Sequence, residues 1–101
     1  MGLDVLLYDK HDKLLEKFII EEELHSEIFY RTNNWGSYQY LRKINDYYSP
    51  NLHLNLAEVE LLKNDLGQYQ IFVERKYSLK ISDIIEKLSN QKIHRVHIVG
   101  D

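Results

Sequence analysis

The sequence predicts a single α+β domain over residues 1–101, in which a small antiparallel or mixed sheet, made from an N-terminal hairpin and a C-terminal strand, packs against about four helices. Three observations lead there. At 101 residues the chain has the length of one domain, and with 44% hydrophobic and 12% aromatic residues it is too apolar to be disordered. With 4 glycines and 1 proline, most of it belongs in regular elements rather than loops. Strand-like runs lie near the two ends while helical spacing fills the middle, the segregation that defines the class. One small core is feasible, but a domain of this size buries only roughly 60–70% of its unfolded surface, so its stability is modest.

Leu3 to Tyr8 reads as the first strand, with Leu3, Val5 and Leu7 on one face and Asp4, Leu6 and Tyr8 on the other. Asp9 to Lys13 is polar and turn-like, and Leu14 to Ile20 completes a hairpin. Glu21 to Tyr30 fits a short helix with Leu24, Ile28 and Phe29 on one side and three glutamates at its positive end. After a polar loop at 31–36, Ser37 is a plausible N-cap for a helix to about Tyr48, striped by Tyr40, Leu41, Ile44, Tyr47 and Tyr48 and ended by Ser49-Pro50.

The best local signal follows. Asn55 and Glu58 have capping-box spacing, and Leu54 and Val59 occupy the hydrophobic-staple positions, so a helix starts at Leu56. Leu62, Leu66, Tyr69 and Val73 keep helical spacing through Gly67, which favours one helix to about Glu74. The alternative is a cap at Gly67 and a strand over Tyr69-Ile71-Val73. Ser82 is expected to cap a further helix through Ser89, with Ile81, Ile84, Ile85 and Leu88 buried. Ile93 to Val99 is the final strand, with Ile93, Val96 and Ile98 as its apolar members.

Composition narrows the function. The absence of cysteine removes disulfides, thiolate metal sites and cysteine nucleophiles, and for a small unstapled domain the cytoplasm is the expected compartment. No apolar run approaches the ~20 residues of a membrane span. The opening residues lack the basic region of a signal peptide, and Leu6 stands where a myristoylation motif needs Ser or Thr. A net charge of −3 lacks the basic footprint of general nucleic-acid binding. The charge is uneven: residues 1–30 carry eight acids against three lysines, net −5, and the remainder is net +2.

No constellation announces catalysis. The five histidines, His11, His25, His53, His94 and His97, are scattered, match no metal motif, and read as surface groups. The serines sit mostly at caps or turns, none in a nucleophile elbow. The glycines never cluster into a phosphate loop, and neither Glu21-Glu22-Glu23 nor the Glu58/Glu60 pair is placed as an acid–base couple. The expectation is a non-enzymatic protein with no cofactor and no metal.

The informative segment runs from Phe29 to Tyr48. It contains Tyr30, Arg31, Trp35, Tyr38, Arg42 and Tyr47 at or outside the edge of the apolar stripe. Trp, Tyr and Arg dominate binding hot spots because they combine contact area with a hydrogen-bonding tip. Arg31, Trp35, Tyr38 and Arg42 are therefore the candidate contacts, with Glu21, Glu22 and Glu23 as rim charge. Trp35 and Tyr38 are equally readable as completing a small core.

The opening Met-Gly-Leu-Asp-Val and the Tyr30-Arg31-Thr32-Asn33 run before an aromatic helix resemble small uncharacterised bacterial and phage proteins that begin with MGLD. The cysteine-free, acidic, tyrosine-rich composition is similar to that of immunity proteins of bacterial toxin systems. These resemblances imply a stoichiometric binder of another protein, in the sharper form one that neutralises a basic toxin, and carry over no functional residue. The alternative is a homo-oligomeric regulatory or accessory module, with a terminal strand such as Ile93–Val99 pairing across an exposed edge.

Overall fold

The alternation read in the first strand is realised as one buried and one open face. In the computed structural model, which describes residues 2–32, 35–44 and 51–100, β1 (Gly2–Tyr8) pairs antiparallel with β2 (Leu14–Glu21). Leu3 lies opposite Ile20 and Val5 opposite Phe18, and a bulge near Tyr8 leaves Leu15 as the extra residue. Asp9 organises the turn: its Oδ1 accepts from the backbone N–H of His11 at 2.8 Å and of Lys13 at 3.0 Å. The Lys13 N–H is the main reason its carboxyl is held below the usual range. Asp12 takes the left-handed conformation, φ 63°, which aspartate tolerates better than most residues.

On the other side of β1 lies β4 (Arg95–Val99), and beyond it β3 (Asn51–Asn55), both antiparallel to their neighbours. The order is β2-β1-β4-β3. Two expectations are corrected here. Asn51–Asn55 is a strand that was not foreseen, although Leu52 and Leu54 alternate with polar neighbours; five residues, polar on one side, give a faint signal. The last strand starts at Arg95 and is central, between β1 and β3, so Ile93–Val99 presents no free edge for self-association.

The helices cover one face. α1 (Glu22–Ser26) runs into a π-helical turn, Glu27–Arg31. A 3-10 turn over Trp35–Ser37 precedes α2 (Gln39–Arg42). Ser37 therefore lies in that turn and not at the cap, which falls at Tyr38 with no side-chain bond. Leu41 and Ile44 are buried and Tyr40 is half-buried, as the stripe predicts. The α-helix ends at Arg42 with Lys43 as its C-cap, short of the expected end near Tyr48, and Tyr47, Tyr48 and Ser49-Pro50 lie outside the described residues.

The capping box is present in both directions: Asn55 Oδ1 accepts from the Glu58 N–H at 2.9 Å, and Glu58 Oε1 from the Asn55 N–H at 3.1 Å. Leu54 and Val59 are both buried. The helix they start, α3 (Leu56–Tyr69), passes through Gly67 as expected but stops short of Glu74. A 3-10 turn at Gln70–Phe72 follows, and Val73 is extended at φ −116°, ψ 161°. Residues 70–73 are thus neither strand nor a continuation of the α-helix. α4 (Arg75–Leu88) begins seven residues before Ser82, which lies inside it and accepts from Gln70 Nε2 at 2.7 Å. Tyr77 extends the Ile81/Ile84/Leu88 stripe back by one turn, and no residue from 75 to 81 opposes helix, so burial carries the helix upstream of the best local cap.

Side chains from both layers form one core. The sheet contributes Leu3, Val5, Leu7, Leu54, Val96 and Ile98, and the helices add Leu24, Leu41, Leu62, Leu66, Tyr69 and Ile81, all at most 3% exposed.

Gly67 sits in the last turn of α3 with negative φ. A Cβ there would meet only Ile85 Cδ1, at 3.9 Å, an ordinary contact. Gly67→Ala is therefore expected to raise stability by about 0.5–1 kcal/mol through reduced backbone entropy in the unfolded chain. Urea denaturation reads this directly, and a lower midpoint would show that the helix needs the glycine.

Candidate binding surfaces

Six of the seven candidate contact residues fall into two groups on the helical layer, while Glu21, the last residue of β2, lies beside Lys80 at the groove along the sheet edge. Glu22, Glu23 and Arg31 line one cleft with Ser26, Glu27 and Tyr77. Arg31 is committed to ion pairing: its Nε lies 3.8 Å from buried Glu27 and its Nη2 3.6 Å from Glu74. Tyr77 donates to Glu23 Oε1 at 2.5 Å. That bond, ahead of Tyr77's own burial, pushes its phenol up to about 12 and holds the Glu23 carboxyl below its ordinary range. Trp35 and Tyr38 form the second group and are half-buried against the core. The Trp35 indole donates to the Phe29 carbonyl at 3.2 Å and meets that ring edge-on, and Tyr38 meets Tyr69 edge-on. Arg42 is exposed one turn beyond Tyr38, to whose carbonyl its backbone N–H donates.

The acidic first third is answered from within the molecule. Lys80 lies 3.1 Å from Glu21, Lys76 3.9 Å from Glu23, Lys17 3.9 Å from Asp4, and Arg95 2.6 Å from Asp12. The asymmetry seen along the sequence is offset once the later bases fold back onto the N-terminal third.

His25 corrects the reading of the histidines as surface groups. It is 1% exposed, its ring packs on Phe29 at 4.5 Å between centroids, and its Nε2 is 2.9 Å from the Ile44 carbonyl, tying α1 to the segment after α2.

Among the described residues no helix covers the second sheet face. His53 and His97, forty-four positions apart, are cross-strand partners on it, their rings stacked at 4.0 Å and 14°. The Arg95 guanidinium lies over the Tyr8 ring at 4.2 Å, donates to Asp12, and reaches His53 Nδ1 at 3.2 Å. Because guanidinium can only donate, His53 Nδ1 accepts, and its neutral ring carries the proton on Nε2. His97 Nε2 donates to Asn51 Oδ1 at 2.6 Å. The run Asp12–Arg95–His53–His97–Asn51 thus crosses the open face, flanked by half-buried Leu6 and Val99. Sequence spacing could not show this, because only the β3–β4 register places His53 beside His97.

Burial, followed by the proximity of His53 and Arg95, lowers the His97 pKa from 6.5. The unfolded chain then takes up a proton before the folded one does. Stability is therefore full above about pH 6.5 and falls as pH drops from there through the folded-state value. His97→Gln is expected to flatten that slope in urea titrations between about pH 7.5 and 5. An unchanged slope would assign the acid sensitivity to other groups.

The third surface is the outer edge of β2. Among the described residues nothing pairs with it. Between this edge and α4 runs a groove of about 310 Å³, floored by Phe18, Leu24 and Ile84 and bordered by Ile19 and Leu79. Ile19 is 51% and Leu79 59% exposed.

Among the described residues no helix is long and apolar enough to cross a membrane, and no three His, Asp or Glu side chains are grouped to hold a metal ion. No family model matches the chain, and neither does any curated protein sequence or solved structure.

Proposed function

We propose that this chain is a non-enzymatic protein that binds another protein on the uncovered face of its sheet. The observation that carries the reading is that face: Tyr8 under Arg95 and the stacked His53/His97 pair, set among half-buried Leu6 and Val99. Aromatic and arginine anchors on a semi-apolar surface are what protein interfaces use. A protein fits better than a nucleic acid, because Lys17 and Arg95 on this face are answered by Asp4 and Asp12 and no basic footprint remains. The support for a toxin as partner is compositional, from the likeness to immunity proteins. The non-enzymatic part rests on the absence of catalytic motifs in the sequence.

The test is capture of partners from lysate of the source organism with three baits: wild type, Tyr8→Ser/His53→Ser, and Arg42→Ala. A partner held by wild type and Arg42→Ala but lost from the open-face double variant supports the reading. Loss with Arg42→Ala alone moves the site to the helical layer and its Trp35–Arg42 aromatics. No specific partner with any bait, from cells expressing the native protein, removes the protein-binding reading.

A further inference from the structure

Most proteins blunt their sheet edges, since unpaired N–H and C=O groups invite pairing with another chain. In this protein the bulge at Leu15 protects only the start of β2. The rest, Lys17-Phe18-Ile19-Ile20-Glu21, is regular, ends where α1 begins, and carries a half-exposed isoleucine. These five residues have a further property. Read antiparallel against themselves about Ile19, they set Lys17 against Glu21 and Phe18 against Ile20.

We infer that β2 is a self-association edge, and that its partner is a second copy of this chain paired antiparallel about Ile19. A two-fold axis perpendicular to the sheet keeps both helical layers on the same side. Residues facing each other across it must then point to the same face. Phe18 and Ile20 are buried under the helical layer, whereas Lys17, Ile19 and Glu21 alternate with them along β2 and are exposed, the Glu21 carboxylate turning at the sheet edge to Lys80 of α4. Centring on Ile19 satisfies this rule: Phe18 meets the partner's Ile20, Ile19 meets the partner's Ile19, and Lys17 meets the partner's Glu21, each charge pair occurring twice. Neighbouring centres fail. Centring on Lys17 sets lysine on lysine, centring on Phe18 sets Lys17 against isoleucine, and centring on Ile20 sets Ile19 against glutamate.

The packing agrees with this register. α4 runs beside the same edge, with Lys80 3.1 Å from Glu21 and Lys87 Nζ 5.0 Å from the Phe18 ring centre. The axis that joins the strands therefore brings the two apolar grooves together and shields Leu79. The groove rim carries Lys80 and Lys87 against Glu21 and Asp83, already paired at 3.1 and 3.4 Å. A balanced rim of this kind suits a copy of itself better than a partner of one charge sign. The product is one eight-stranded antiparallel sheet. It leaves Tyr8, Arg95, His53 and His97 uncovered, so it is independent of the partner reading above and coexists with it.

The experiment is sedimentation equilibrium over a concentration series up to about 1 mM, a range that detects even weak dimers. Wild type is compared with Lys17→Glu, Glu21→Lys, the double exchange and Ile19→Asp, each checked for folding by circular dichroism. Wild type is expected to approach twice the chain mass. Each single reversal should weaken the dimer about tenfold, because two cross-strand pairs become like-charged. The double exchange should restore affinity to within about threefold, and Ile19→Asp should abolish association. A wild type that stays monomeric overturns the proposal. So does a dimer indifferent to the single reversals, or reversals that the double exchange does not rescue.

Discussion

Tyr69→Ala is expected to lower stability by about 3–5 kcal/mol, the range for deleting a buried aromatic side chain. Tyr69 is wholly buried at the end of α3, where three parts of the helical layer meet. Its ring takes the edge of Tyr38 at 5.5 Å and packs on Phe72 at 5.1 Å. Its hydroxyl bonds to Thr32 Oγ1 and lies 3.4 Å from the Ile28 carbonyl. Alanine would leave a cavity and remove one partner from each of those polar groups. Domains are commonly stable by only about 5–15 kcal/mol, so the variant should unfold at much lower urea and temperature. Tyr69→Phe keeps the ring and should lose about 1 kcal/mol. Urea midpoints for the three proteins decide the matter, and a loss below about 1.5 kcal/mol for alanine would mean that the site collapses around the deletion.

The second large effect is expected at Ile81. This residue is 0% exposed at the middle of α4, while Leu79, two positions away, is 59% exposed. Ile81→Ala should cost about 2–5 kcal/mol and Leu79→Ala less than about 0.5 kcal/mol, measured in dilute solution where only the monomer contributes. The contrast tests which face of α4 is turned to the core, and equal losses at the two positions would contradict the burial pattern of this helix.

The comparison of candidate contacts with their observed places shows what kind of information a sequence lacks. Trp35 and Tyr38 belong to residue types that read as both hot spots and core, and the fold packs them partly on Phe29 and Tyr69. Arg31 reads as exposed positive charge, which it is, but buried Glu27 one turn away claims it. The open-face cluster left no trace in spacing at all: Tyr8, His53 and Arg95 come from three strands, and their meeting depends on register. A period-2 pattern at Asn51–Asn55 would have been the one usable hint, since a strand there has to find a neighbour.

What the sequence by itself determined was local. The hairpin follows from alternation at Leu3–Leu7 and the turn chemistry of Asp9; the start of α3 follows from Asn55, Glu58, Leu54 and Val59; and the passage through Gly67 follows from spacing whose burial outweighs about 1 kcal/mol of glycine cost. These features are encoded within a few residues, so they survive being read in isolation. Only the tertiary structure decided the central position of β4, the upstream start of α4, the burial of His25 and the pairing of His53 with His97. Each depends on contacts between distant segments. Their energies come from apolar area removed from water and from strand register, which hydrophobic patterning permits in several arrangements and packing reduces to one.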